Sequence, residues 1–215
     1  MEDSKKEETT GNKEDSIISI SKDLPVWMVE KIEESRDEVK YQSNRFYVSE
    51  LTGCLRQSLM FRQPELFGAM SSFKEKYVFV RGKMIHDFFL RDFKTVELKK
   101  TFVVDGEEYE VVGHPDYVED DVLYELKTVN NLEYQRDLPF EENVFQVRAY
   151  DTLNDLKYKK LVLVYLGMSD WKVIEVKKKD VTKELLHNLR VMVRCLKERR
   201  LPTKEEHTCY WCRNL

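Results

Sequence analysis

The chain has 215 residues, of which 41% are hydrophobic and 35% charged. That is enough for one sizeable core in a charge-rich globular protein. Its formal net charge of −4 does not by itself mark a nucleic-acid binder. No stretch is long and apolar enough to span a bilayer, and no membrane partner is expected. The polar start, Met1 to Asp15, lacks the apolar core of a secretory signal, so a cytoplasmic location is expected. There the four cysteines read as metal or cluster ligands, or as core residues, before disulfides.

In chain order, a flexible charged tail is expected over 1–20, its first fifteen residues small and polar, followed by a single domain over 21–215. Pro25 to Lys40 reads as a helix, with Pro25 near its first turn and Trp27, Met28 and Ile32 on one side. Ser49 is placed to cap a second helix carrying Leu51, Leu55 and Leu59. Ser72 and Glu75 form a capping box for a third, running to about Phe93 and containing His86. The period then changes. Glu97 to Val104 and Glu107 to Gly113 read as strands joined by a tight turn at Asp105-Gly106. Pro115 to Val118 and Val122 to Thr128 read as a second pair around Glu119-Asp120-Asp121. Helical spacing returns from Phe140 to Lys157. Leu161 to Leu166 is a short apolar strand, and Trp171 to Val176 alternates as another. Asp180 to Arg200 is an amphipathic helix with Leu185, Leu189, Met192 and Leu196 at core spacing, ended before Pro202. The expected fold class is α/β, a mixed central sheet flanked by helices.

Charge is unevenly distributed. Lys157 to Lys204 holds fourteen Lys/Arg against five Asp/Glu, and the remainder is correspondingly acidic. Such asymmetry can set a basic surface beside an acidic site, or can simply be solvated helix faces.

The centre of the chain carries the chemistry. Glu125 and Lys127 are two apart on one strand, so their side chains share a face while Leu126 points the other way. Asp116 lies on the neighbouring strand, where pairing brings it beside Glu125. Two adjacent carboxylates repel unless a cation lies between them, and oxygen donors with room for water suit Mg²⁺ or Mn²⁺. Such a cation polarises a phosphoryl oxygen and acidifies an attacking water, and the Lys127 ammonium can stabilise developing charge. Taken alone, an E-x-K triplet also describes an ion pair on a solvated strand.

The wider pattern is more specific. Gly82-Lys83-Met84-Ile85-His86 is a G-x-x-x-H signal on a helix. It precedes Gly113-His114-Pro115-Asp116, then Glu125-Leu126-Lys127, then Gln146-Val147-Arg148-Ala149-Tyr150, a Q-x-x-x-Y signal. This ordered set resembles the RecB-like branch of the PD-(D/E)XK nucleases, in particular the CRISPR-associated Cas-four exonucleases and their archaeal-virus relatives. The resemblance spans roughly Tyr47 to Cys212. It implies a restriction-endonuclease-like αβββαβ core with His86, Asp116, Glu125 and the Leu126 carbonyl as metal ligands. Lys127 would be the catalytic lysine, with Gln146 and Tyr150 contacting DNA or bracing the site. It further implies that Cys54 and a C-terminal cysteine group hold an iron–sulfur cluster, usually [4Fe–4S], which fastens segment 202–215 near Cys54. Cys209 and Cys212 form a C-x-x-C, but the sequence ends at Leu215 without the usual later cysteine. The fourth ligand is therefore Cys195, or the cluster has a different form; zinc would also accept four thiolates.

The activity so implied is metal-dependent phosphodiester hydrolysis by an exonuclease preferring single-stranded DNA, with endonuclease cutting left open. Binding would draw on the basic C-terminal half and on stacking against aromatics such as Tyr150 or Trp211. The setting would be CRISPR adaptation, or viral or cellular replication and recombination, with proteins of those processes as partners; in the viral case the location becomes the host cytoplasm. Self-association is left open. The alternative is a non-catalytic nucleic-acid-binding or assembly subunit that keeps the fold.

Overall fold

The computed structural model describes residues 26–34, 41–67, 73–132 and 138–207. The chain divides into two compact units, Met1–Arg36 and Asp37–Leu215, where a single domain over 21–215 was expected. The first contains α1 (Val26–Glu34), inside the helix predicted over 25–40. The tail and the Ser72 cap lie outside the described residues.

The second unit opens with β1 (Arg45–Tyr47), then α2 (Val48–Thr52), α3 (Leu55–Arg62) and α4 (Pro64–Phe67). A single helix was expected over Ser49 to Leu59. It breaks because Gly53 leaves helical space, at φ −91° and ψ −153°, and its N–H closes α2 on the Ser49 carbonyl. Tyr47, not Ser49, is the N-cap, and its N–H donates to Glu50 Oε2 at 2.8 Å. The long α5 (Phe73–Leu90) follows.

β2 (Leu98–Val104) and β3 (Glu107–Gly113) pair antiparallel. Asp105 (φ 52°) and Gly106 (φ 81°) turn between them, both left-handed as a two-residue hairpin requires. β1 adds to the other edge of β3 in parallel, making a three-stranded sheet ordered β1-β3-β2. A second sheet, ordered β4-β5-β6-β7, is formed by β4 (Tyr117–Glu119), β5 (Val122–Thr128), β6 (Lys160–Leu166) and β7 (Trp171–Val176). Asp120 and Asp121, at φ 50° and 64°, make the β4–β5 turn; a short side chain that can bond its own backbone eases that conformation. The single central sheet expected from sequence is thus two. The strand predicted from Pro115 starts at Tyr117, since Pro115 has no N–H to give a ladder and the Leu126 N–H is taken by the Asp116 side chain.

Between β5 and the parallel β6 lies α6 (Glu141–Leu153). A hydrogen bond from Lys127 to Gln146 sets α6 on the Glu125/Lys127 face of β5. On the opposite face α5 approaches Thr128 through Gly82. The sheet is therefore covered at β5 from both sides, and the mixed α/β class flanked by helices is as the sequence predicts. α7 (Thr182–Glu198) buries Leu185, Leu189 and Met192 and ends at Arg199, which takes the left-handed conformation at φ 55°. No helix among the described residues is long and apolar enough to cross a membrane.

One buried ion pair ties the N-terminal elements together. Arg62 donates from Nε and Nη2 to the two Glu50 oxygens, both at 2.9 Å. It also donates to the carbonyls of Gln42 (2.8 Å) and Arg45 (2.6 Å). Its guanidinium lies 4.3 Å from the centre of the Phe46 ring.

Candidate metal and active site

The candidate side chains arrive from four places: α5, the loop before β4, β5 and α6. Asp116 stands in the loop leading into β4. Its Oδ2 accepts the Leu126 N–H at 2.7 Å, replacing the backbone partner lost where β4 stops pairing. Its Oδ1 lies 3.4 Å from His86 Nδ1, which comes in from α5. Glu125 is buried on β5. Its Oε1 accepts from Lys127 Nζ at 2.8 Å, while its Oε2 is buried without any hydrogen-bond partner. Lys127 also donates to Gln146 Oε1 at 2.8 Å, and Gln146 Nε2 donates to the Tyr150 hydroxyl at 2.8 Å.

The electrostatics follow from this layout. Burial is the largest effect on Glu125 and lifts its carboxyl to about 7, with Asp116 adding to the rise and Lys127 opposing it. The hydrogen bond to Asp116 raises His86. Burial lifts the Tyr150 phenol well above its ordinary value. A buried carboxylate oxygen with no donor costs roughly 1–3 kcal/mol or more, and such a group in a folded protein calls for a reason, of which a bound ion or a catalytic role is one.

Two glycines set the geometry. A Cβ on Gly113 would meet the Tyr150 ring at 2.7 Å. The glycine that opens the G-x-x-D signal is thus the floor on which the Tyr150–Gln146–Lys127 chain rests. A Cβ on Gly82 would lie 3.3 Å from Thr128 Oγ1, so the glycine of G-x-x-x-H lets α5 approach β5 closely enough for His86 to reach Asp116. Neither role is visible in sequence, because both depend on a partner distant along the chain. Gly113→Ala is expected to cost about 1–3 kcal/mol by overpacking. Calorimetry of Gly113→Ala, Tyr150→Leu and the double variant measures the contact. Strictly additive losses would show that no such contact exists.

The sequence-predicted residues His86, Asp116, Glu125, Leu126, Lys127, Gln146 and Tyr150 are brought to one region. They form hydrogen-bonded pairs, not a closed cage: among the described residues no group of three His, Cys, Asp or Glu stands ready to hold a metal ion. Tyr150 is only 4% exposed, which rules out base stacking on its ring and leaves it a bracing role. The basic excess after Lys157 is partly offset in space. Lys197 pairs with Glu107, Lys159 with Asp121, Lys178 with Asp151, and Arg194 and Arg200 with Glu206.

Of the cysteines, Cys54 is half-buried ahead of α3 and Cys195 is fully buried in α7, where burial raises its thiol. Cys209, Trp211 and Cys212 lie outside the described residues. Residues 202–207 do return to α3. Arg56 donates to the Pro202 carbonyl at 3.2 Å, and the Leu55 N–H donates to His207 Nε2 at 3.3 Å.

No family model and no curated protein matches the chain. Among solved structures, the crystal structure of SSO0001 is similar, with a TM-score of 0.60 and 20% identity over 78% of this chain and 84% of that one. That likeness shows the fold. The crystal structure of Scheffersomyces stipitis Rai1 has a TM-score of 0.37 and 15% identity, covering 81% of this chain and 64% of that one; a likeness so slight carries no argument.

Proposed function

We propose that the chain is a divalent-metal-dependent deoxyribonuclease of the RecB-like PD-(D/E)XK type, acting on single-stranded DNA from an end. The observation that carries this reading is the unpartnered, buried Glu125 Oε2 beside Asp116, His86 and Lys127. Two carboxylates, an imidazole and a backbone carbonyl are a donor set that suits Mg²⁺ or Mn²⁺. Glu125, Asp116, His86 and the Leu126 carbonyl would hold the ion. When bound, it supplies Lewis-acid polarisation of the phosphoryl group and acidifies a water.

The remaining work falls to the chain's own groups. Lys127 is held between Glu125 and Gln146, which fixes two of its three N–H directions and leaves the third for a phosphate oxygen or the attacking water. Gln146, set by Tyr150, orients that ammonium. Hydrolysis adds water across the P–O bond, leaving one phosphomonoester and one alcohol. The non-catalytic alternative has no use for a buried carboxylate that the fold itself leaves unsatisfied.

The test is digestion of 5′- and 3′-labelled single strands with Mn²⁺ or Mg²⁺, comparing the natural chain with Lys127→Ala. Loss of about 10²–10³-fold in rate is expected. Equal rates in the two would end the proposal.

As a second cofactor we propose a [4Fe–4S] cluster on Cys54, Cys195, Cys209 and Cys212. The return of residues 202–207 to the neighbours of Cys54 supports it. Purified protein should then be brown and contain iron and sulfide, whereas colourless protein with stoichiometric zinc would overturn this part.

A further inference from the structure

Tyr150 is buried, so the bases of a single strand at the candidate site need other rings. α5 leads towards them. Gly82, His86, Phe89 and Phe93 are spaced by four, three and four, which is one helical face. The Arg91 N–H donates to the Asp87 carbonyl at 3.2 Å and the Phe93 N–H to the Leu90 carbonyl at 3.0 Å, so the turn past Leu90 keeps to this course. Tyr77, Met84 and Phe88, also exposed, lie about half a turn away around the helix and form no part of the line.

Both ends of the line are fixed on β5 and its neighbour. Gly82 lies against Thr128. The Phe93 ring centre is 4.3 Å from that of Tyr117, which is 5.8 Å from that of Tyr124. Thr128 and Tyr124 share a face of β5 and are ~13 Å apart, while Gly82 to Phe93 spans ~16 Å of helix. α5 therefore runs along β5 in the opposite direction, and His86 meets Asp116 between those ends. Both metal-ligand candidates lead to the same ring pair. Phe93 is two turns past His86, and Tyr117 directly follows Asp116.

We infer that Phe93, Tyr117 and Tyr124 form a stacking shelf for the bases of a single strand whose phosphate lies at the metal site. This rests on the nuclease reading and names where its substrate is held. Phe93 is 47% exposed, while Tyr117 and Tyr124 are half-buried, so the ring open to a base is braced by two others. Charge argues for a polyanion over an apolar protein surface. Residues 73–94 hold six Lys/Arg against three Asp/Glu in a chain of net charge −4, and Arg91 and Lys94 stand exposed on either side of Phe93. Cations interleaved with rings suit a single strand. The acidic turn Glu119-Asp120-Asp121 lies beyond Tyr117 and repels phosphates, which keeps the backbone on the α5 side. Such a shelf takes any base, because each has a π-face, but the base must be unpaired and unstacked, which is a physical source for the preference for single strands.

The experiment titrates the full chain, in chelator, into short single strands carrying 2-aminopurine at each position in turn. Phe93→Leu, which keeps apolar bulk without a ring, and Phe93→Trp are run alongside. Circular dichroism confirms that both fold, and Phe93→Met replaces the first if it does not. Fluorescence quenching confined to neighbouring positions is expected for the natural chain and Phe93→Trp. Phe93→Leu should lose it and bind about tenfold more weakly. An abasic nucleotide at the quenched position should weaken the natural chain by the same factor and leave Phe93→Leu unchanged, a coupling that a merely structural role for Phe93 would not produce. Equal binding and quenching in Phe93→Leu overturns the inference, and so does a natural chain that binds no single strand. Cleavage in Mn²⁺ is scored separately. Stacking without cleavage would sink the nuclease reading and leave the shelf, whereas cleavage with an unaltered KM in Phe93→Leu would sink the shelf and leave the nuclease.

Discussion

Glu125→Gln is expected to abolish turnover, by about 10³-fold, while raising the melting temperature of the metal-free protein above pH 7. Both effects come from one atom. Glu125 Oε2 is buried and unpartnered, and burial lifts the carboxyl to about 7 from an ordinary 4.5. A group whose folded value is raised contributes stability that is full below the unfolded value and is lost as pH climbs through the folded one. For Glu125 the window runs from about pH 4.5 to 7, and the loss amounts to about 3 kcal/mol by pH 8. The amide does not titrate, so the variant should lack this slope. A bound cation acts in the opposite sense by stabilising the carboxylate. His86, raised by Asp116, must likewise release its proton before it can ligate. The rise in melting temperature caused by Mn²⁺ should therefore be larger at pH 8 than at pH 5.5 in the natural chain, and small in Glu125→Gln at both. Thermal melts in chelator and in Mn²⁺ across that range decide the matter. Parallel pH profiles for the two proteins would remove Glu125 as the strained group.

What the sequence made legible is what local chemistry determines. The span of β5 was readable to the residue, because its alternation is bounded by an acidic turn and a polar exit. The pairing of Glu125 with Lys127 on one face follows from a period of two. The Asp105-Gly106 hairpin was readable because few residue pairs accept two positive φ angles. What stayed hidden depends on distant partners. β1 is three residues long and forms only because β3, some sixty residues later, offers an edge. The helix break at Gly53 was masked by leucines at helical spacing on both sides of it. The two motif glycines reveal their purpose only when Tyr150 and Thr128 are seen against them. The basic run after Lys157 is an excess along the chain that is only partly offset in space, where Glu107, Asp121 and Asp151 come from other segments to meet it. Exposed apolar residues around α5 gave it a weak one-sided pattern, so its helical state was clearer from sequence than the face it buries.

Arg62→Ala is expected to destabilise the fold by about 3–5 kcal/mol, the cost of leaving a buried carboxylate without its cation. Arg62 and Glu50 have side chains only 4% and 8% exposed, so water cannot replace either partner. The loss is not electrostatic alone. Arg62 also satisfies the Gln42 and Arg45 carbonyls, and Glu50 takes the Tyr47 N–H, so the pair secures both ends of β1. A Glu50→Leu/Arg62→Met double variant removes both charges together. It should recover the part of the loss due to the stranded carboxylate, but not the part due to the orphaned backbone groups. Denaturant unfolding of the two singles and the double separates these contributions. A double variant as unstable as the sum of the singles would deny the coupling. β1 lies against β3, whose last residue, Gly113, opens the loop to Asp116. Looser docking of β1 could reach the site by that path, or through α2, which packs against α6. In Arg62→Ala held folded at low temperature, Lys127 still has Glu125 and Gln146. Cleavage per folded molecule should therefore fall no more than about twofold, and a larger fall would mean that β1 positions Asp116 as well as stabilising the fold.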